Sequence, residues 1–147
     1  MKISFDLDDT IIPGIKTFAT EPQTIIHRIF GIEKIRKGTI ELFKALKTQN
    51  HSVGIYTTSF RSVFKIKLLF LLNGFSVDFV INQNKHLHDL KNSQNKPSKY
   101  PSLFNIDIHI DDSKGVAIEG EKYNFRTIIV DEDVENWKDF VLKNIEI

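Results

Sequence analysis

Five short β-rich runs, each followed by a helical or polar stretch, restrict what this 147-residue chain can fold into. They are Lys2–Leu7 (KISFDL), Ser52–Thr58 (SVGIYTT), Val77–Ile81 (VDFVI), Ile106–Ile110 (IDIHI) and Arg126–Val130 (RTIIV). Strands that alternate with helices predict an α/β fold, a mostly parallel sheet joined by crossover helices. Between the first two runs, Thr39, Leu42, Phe43 and Leu46 recur at helical spacing, so Thr39–Gln49 reads as an amphipathic helix with Glu41 in its first turn. Arg61–Leu72 reads as a second helix, stopped by Asn73-Gly74, and Val134–Lys143 as a third. Ile12–Lys37 is the least regular stretch, a candidate flap or small cap insert with one short helix near Thr24–Phe30. Lys91–Pro101 (KNSQNKPSKYP) is polar, holds two prolines and reads as a loop too short to separate domains. The expectation is therefore one domain over residues 1–147.

Composition removes several chemistries. There is no cysteine, which excludes disulfides, thiolate catalysis and Cys-based metal sites. Twenty Lys and Arg against nineteen Asp and Glu leave a net charge of +1, so bulk charge favours neither nucleic acid nor an acidic membrane. The start of the chain is interrupted by Asp6, Asp8 and Asp9, which no secretory leader tolerates, and the longest apolar run, Leu68–Leu72, is far short of the roughly 20 residues of a membrane span. A cytoplasmic protein is expected.

In a doubly wound parallel sheet, ligands bind beyond the carboxyl ends of the strands. The first strand delivers Asp6, Asp8 and Asp9 there; the second delivers Thr57, Thr58 and Ser59; the fourth delivers Asp111 and Asp112. Two like charges about 4 Å apart repel by roughly 1 kcal/mol in water and roughly 4 at an effective dielectric of 20. Bringing Asp6, Asp8, Asp111 and Asp112 together would thus cost an amount comparable with a domain's whole stability of about 5–15 kcal/mol. Such a cluster calls for a cation, and hard oxygen donors without His or Cys favour Mg²⁺. A calcium-loop reading of the Asp6 region fails, because Ile11 and Thr17 stand where that loop needs Gly and Glu.

These residues carry a resemblance. Asp6-Leu7-Asp8-Asp9-Thr10, closing the first hydrophobic strand, resembles the DxDx[TV] motif of the haloacid dehalogenase (HAD) superfamily. Thr57 in VGIYTT resembles its second motif, Lys99 or Lys96 in NKPSKYP its third, and Asp111-Asp112 in IDIHIDDS its fourth. The four follow one another in the family's order from residue 6 to residue 112. The resemblance implies a Rossmann-like sheet of about five strands in order 3-2-1-4-5, with strands one and four side by side, and a minimal cap. It implies Asp6 as a nucleophile that becomes an aspartyl-phosphate. It implies Asp8 as the acid and base, with its backbone carbonyl on Mg²⁺, and Asp6, Asp8, Asp111 and Asp112 as the metal group. Lys99 is preferred as the motif lysine, since KYPSLF has the makings of a short helix before strand four. Asp112 is favoured as the direct ligand, with Asp111 binding through water or holding the lysine. Thr57 would hydrogen-bond a phosphoryl oxygen, and Thr58 and Lys96 are assigned to substrate binding. An ionised carboxylate needs no base to attack phosphorus, but an anionic nucleophile and an anionic phosphate must both be neutralised by the metal and the lysine.

Plainer readings compete. Asp residues are common in turns, Asp111-Asp112-Ser113 can cap a helix, and a loop lysine is usually solvated. His86 and His88, lacking a convincing third ligand, read as a surface loop. Arg61, Lys65 and Lys67 read as a solvated helix face, and Phe64, Leu68, Leu69 and Leu72 as core. The function expected is a Mg²⁺-dependent phosphatase acting on a phosphomonoester, either a small molecule or a phosphoprotein, with no nucleic acid or membrane partner and with homo-oligomerisation allowed. The rival is a non-catalytic Mg²⁺- or phosphate-binding regulatory module on the same fold. A receiver-type version of it is disfavoured, because strand three ends Ile81-Asn82-Gln83 with no phosphoacceptor Asp.

Overall fold

The computed structural model describes residues 1–94 and 96–146. Its elements are β1 (Lys2–Phe5), α1 (Ile25–Ile29), α2 (Thr39–Thr48), β2 (Ser52–Tyr56), α3 (Val63–Leu72), β3 (Phe79–Ile81), α4 (Gln83–Asp89), a 3₁₀ turn (Pro101–Phe104), β4 (Ile108–Asp111), α5 (Lys114–Tyr123), β5 (Arg126–Ile129) and α6 (Trp137–Ile145). The five strands form one parallel sheet in the order β3-β2-β1-β4-β5. Phe5 stands opposite Ile55 on one side and Ile110 on the other, so the ends of β1 and β4 lie together in the middle of the sheet.

Side chains alternate across a strand, and here the two faces differ in chemistry. Ile3, Phe5, Val53, Ile55, Ile108 and Ile110 are buried in the main apolar cluster. Leu42, Phe43 and Leu46 of α2 and Trp137 and Val141 of α6 belong to the same cluster. Phe43 anchors it, with ring centroids 4.7 Å from Phe5 and 5.4 Å from Phe70, while Trp137 meets Phe5 edge-on at 6.1 Å. Ser4 and His109, between the strand residues of that cluster in sequence, and Tyr56, which follows Ile55, are equally buried but carry polar groups. They lie under a smaller cluster made with Ile81, Ile106 and Phe104.

Several expectations are revised. β1, β2 and β5 end earlier than the hydrophobic runs do, β3 starts later, and β4 is shifted to include Asp111. α3 begins at Val63, after the Ser62 cap, so Arg61 precedes the helix instead of lying along it. Of the four α3 residues expected in the core, Leu69 is buried, Leu68 and Leu72 are half-buried, and Phe64 is exposed. α4 occupies residues read as a surface loop: Asn82 caps it, and His86 is turned inward. Its short apolar content hid it from periodicity. Within the Lys91–Pro101 loop, Asn95 lies outside the described residues. The Ile12–Lys37 insert holds one short helix, α1, capped by Thr24. Among the described residues no helix is long and apolar enough to cross a membrane.

Asp78, just before β3, ties this frame at its other end. It accepts the Val53 N–H at 2.7 Å and both of its oxygens meet the Lys47 ammonium of α2. Burial alone would raise its pKa, but the bonds from Lys47 and Val53 outweigh that and hold it below the usual carboxylate value. A depressed folded-state pKa gives stability that is present above the unfolded value and is lost as pH falls through the folded one. Asp78→Asn is expected to cost about 1 kcal/mol in urea unfolding at pH 7, with the gap to the parent closing below about pH 4.

Candidate active site

β1 and β4 run side by side, and the residues after their last paired positions emerge at the same edge. The Asp6 N–H is held by the Ile110 carbonyl at 2.8 Å, which fixes the turn-off point of the first acidic segment against the second. Asp6, Asp111 and Asp112 each offer one carboxylate oxygen, and the three oxygens lie within 4.8 Å of one another.

What makes this tolerable is Lys99. Its side chain is 2% exposed, and its ammonium donates to Asp6 Oδ1 at 2.5 Å, to the Tyr56 carbonyl at 3.0 Å and to Asp111 Oδ2 at 3.2 Å. Burial would lower the lysine's pKa, but the charges of Asp6 and Asp111 outweigh it and keep the group protonated. Asp111 is driven well below the ordinary carboxylate range: burial opposes this, and hydrogen bonding from His109 together with the Lys99 charge prevails. Asp6 goes the other way. Its burial, only partly offset by Lys99 and reinforced by the Asp111 charge, pushes it up to about 7. Lys99, shared between Asp6 and Asp111, and Lys16, on Asp112, bring two positive charges to three carboxylates, and Asp6 is the one left short.

Three hard oxygens in reach of one point, with a charge deficit at Asp6, fit a small divalent cation that keeps some of its waters. Asp6, Asp111 and Asp112 are the residues to hold it. The Asp8 carboxylate lies outside that group. It is half-exposed at the mouth, where both of its oxygens meet Arg61 Nη1, at 2.9 and 3.0 Å. Thr57, buried at the end of β2, directly follows the carbonyl that receives Lys99, and its hydroxyl accepts the Ser59 N–H at 3.1 Å. Thr58 is exposed beside it. Lys96 is exposed and lines a separate small cavity with His86 and Leu90, so the structure brings Lys99, and not Lys96, to the carboxylates.

The structure adds contacts from residues assigned no site role on sequence grounds. Thr10 donates to Asp112 Oδ1 at 3.2 Å. Lys16, at the tip of the insert, reaches Asp112 Oδ2 at 3.0 Å and its carbonyl at 3.1 Å. That tip is shaped by Asp9, in the left-handed region with φ 61°, whose Oδ1 accepts the Gly14 and Lys16 N–H groups. Arg61, expected on a solvated face, forks onto Glu33 of the insert while holding Asp8. His109 is fully buried, and burial followed by the nearby Lys99 charge lowers its pKa. The neutral ring then donates from Nε2 to Asp111 at 3.0 Å and accepts the Ser4 hydroxyl at Nδ1, 2.8 Å away. A two-residue spacing was the available signal: Ser4 precedes Asp6, and His109 precedes Asp111, on the same face of their strands.

Compared with known proteins, the chain matches no family model, no curated protein and no solved structure. The site thus stands on its own geometry. Removing one partner of a buried ion cluster leaves the others uncompensated, a loss of about 3–5 kcal/mol. Lys99→Met is expected to lower stability by about that much in metal-free urea unfolding, whereas Lys96→Met should stay within about 0.5 kcal/mol of the parent.

Proposed function

We propose that the chain is a divalent-cation-dependent phosphohydrolase of the HAD type, which passes a phosphoryl group from a phosphomonoester to Asp6 and then to water. The observation that carries this reading is the Asp6 carboxylate, buried at the end of the central strand and held by the Lys99 ammonium at 2.5 Å in a cluster with Asp111 and Asp112. A buried carboxylate with a fixed ammonium beside it is placed to meet an anionic phosphorus centre, since the ammonium offsets charge on nucleophile and phosphate alike. Mg²⁺ at the three carboxylates would supply the remaining neutralisation and fix the phosphoryl oxygens for in-line displacement.

In the first step an Asp6 oxygen bonds to phosphorus as the bond to the leaving oxygen breaks, and Asp8, having taken a proton from solvent in exchange for its Arg61 ion pair, gives that proton to the leaving oxygen. In the second, water attacks the same phosphorus, Asp8 takes the water's proton, and the bond to Asp6 breaks to release inorganic phosphate. Asp8 lies two residues beyond the nucleophile on the solvent side, where a leaving group departs, and Arg61 sets the direction of its carboxylate. Thr57 presents its hydroxyl at the neighbouring strand end, within the zone where phosphoryl oxygens would lie. The insert contributes little cover beyond Lys16 on Asp112 and Glu33, which meets Arg61 beside Asp8, and this suits phosphomonoesters on bulky carriers as well as small ones.

With p-nitrophenyl phosphate and Mg²⁺, Asp6→Asn is expected to reduce kcat by at least about 10³-fold without loss of folding, as removal of a covalent nucleophile does. Chelation of divalent ions should abolish turnover of the parent. An Asp6→Asn protein as active as the parent contradicts the reading.

A further inference from the structure

Lys99 lies in a segment without helix or strand, yet its ammonium stops within hydrogen-bonding distance of three oxygens. Something other than regular structure must fix residues 97–100. The Ser98 N–H and hydroxyl donate to the two oxygens of Glu119 on α5, at 2.8 and 2.6 Å, and the Lys99 N–H donates to the same carboxylate at 3.2 Å. The Tyr100 N–H donates to the Tyr56 hydroxyl at 2.8 Å. That hydroxyl in turn hydrogen-bonds His86 Nδ1 at 2.6 Å. Tyr56 is fully buried and His86 is 4% exposed. Tyr56 thus grips the lysine twice, its hydroxyl at the next residue's backbone and its own carbonyl at Nζ.

An apolar pair would fill this space at lower desolvation cost, since a buried hydroxyl or imidazole is tolerated only when bonded. What the polar pair adds is direction. We propose that Tyr56 and His86 form a buried positioning pair that sets residues 97–100 so that Lys99 meets Asp6 already aligned; its effect on turnover rests on the phosphohydrolase reading above. Neither residue touches the reacting atoms. Their removal frees Lys99 to leave the cluster while the sheet stays intact.

Acetylation by acetic anhydride, read lysine by lysine by mass spectrometry, reports whether Lys99 stays sequestered. The parent should label Lys99 at least about tenfold more slowly than Lys96, the ratio of a difference of about 1.4 kcal/mol. In Tyr56→Phe and His86→Leu the Lys99 rate should rise about tenfold with Lys47 and Lys122 unchanged, and His86→Gln, which can still accept the phenol proton, should keep most of the protection. With p-nitrophenyl phosphate, kcat should fall about tenfold in the first two variants while KM moves less than about threefold. Amide exchange at Tyr100 of the parent, which needs no variant, should be slowed by at least about 10³-fold. Unchanged Lys99 labelling in a folded Tyr56→Phe protein, a uniform rise across all lysines, or fast Tyr100 exchange each overturns the proposal. A parent that hydrolyses nothing but whose Lys99 protection depends on Tyr56 sustains the positioning and removes the reaction.

Discussion

The Lys99 ammonium holds together two carboxylates that the fold forces side by side and that would otherwise repel each other. Adjacent parallel strands must deliver their terminal side chains to the same edge, and here both β1 and β4 deliver carboxylates. Lys99 reaches them from a distant loop and is shared between Asp6 and Asp111 beneath the surface. Sharing is what leaves the two acids unlike each other. Asp111 also has His109 and the Ser113 N–H and stays ionised, whereas Asp6, with fewer partners, is pushed up toward neutrality. Of the two acids that share Lys99, Asp6 is the one left in need of more positive charge.

The sheet separates the work of stability from the work of chemistry. Its apolar face meets α2, α3 and α6 through a continuous aromatic cluster, which places the strands with little tolerance. Its other face carries Ser4, Tyr56 and His109 in bonded pairs that lead toward the acidic edge. Buried polar groups of this kind are costly unless satisfied, and once satisfied they define direction. Above the edge the insert is not free: Lys16 is fastened to Asp112, Thr17 to Glu132, and Arg36 reaches the carbonyls of Asp131 and Val134. Cover near the carboxylates is therefore short and tethered from both sides.

The α/β alternation and the acidic ends of the first and fourth strands were legible because hydrophobic runs ending in Asp survive any uncertainty in exact boundaries, whereas the strand order that brings Asp6 to Asp111 and Asp112 was implied only by the HAD resemblance. The choice of Lys99 over Lys96 was legible only as a preference, and burial distinguishes them. Asp8 with Arg61, and Lys16 with Asp112, were not legible: each pair joins segments far apart in sequence through long side chains, for which no periodicity exists. His86 was misread for a related reason. α4 is too short and too polar to announce itself, and the partner that makes the histidine internal, Tyr56, lies on another strand. His109 was hidden inside a run that reads simply as hydrophobic, since the alternation of faces matters only once the second face is known to be polar.

Anomalous scattering from crystals soaked in Mn²⁺, a hard-oxygen surrogate for Mg²⁺, addresses the convergence of carboxylates directly. The account predicts one strong site at the oxygens of Asp6, Asp111 and Asp112, with Lys99 alongside, and its disappearance in Asp112→Asn. A cation bound elsewhere with this cluster left dry, or unchanged binding in the Asp112→Asn protein, would contradict it.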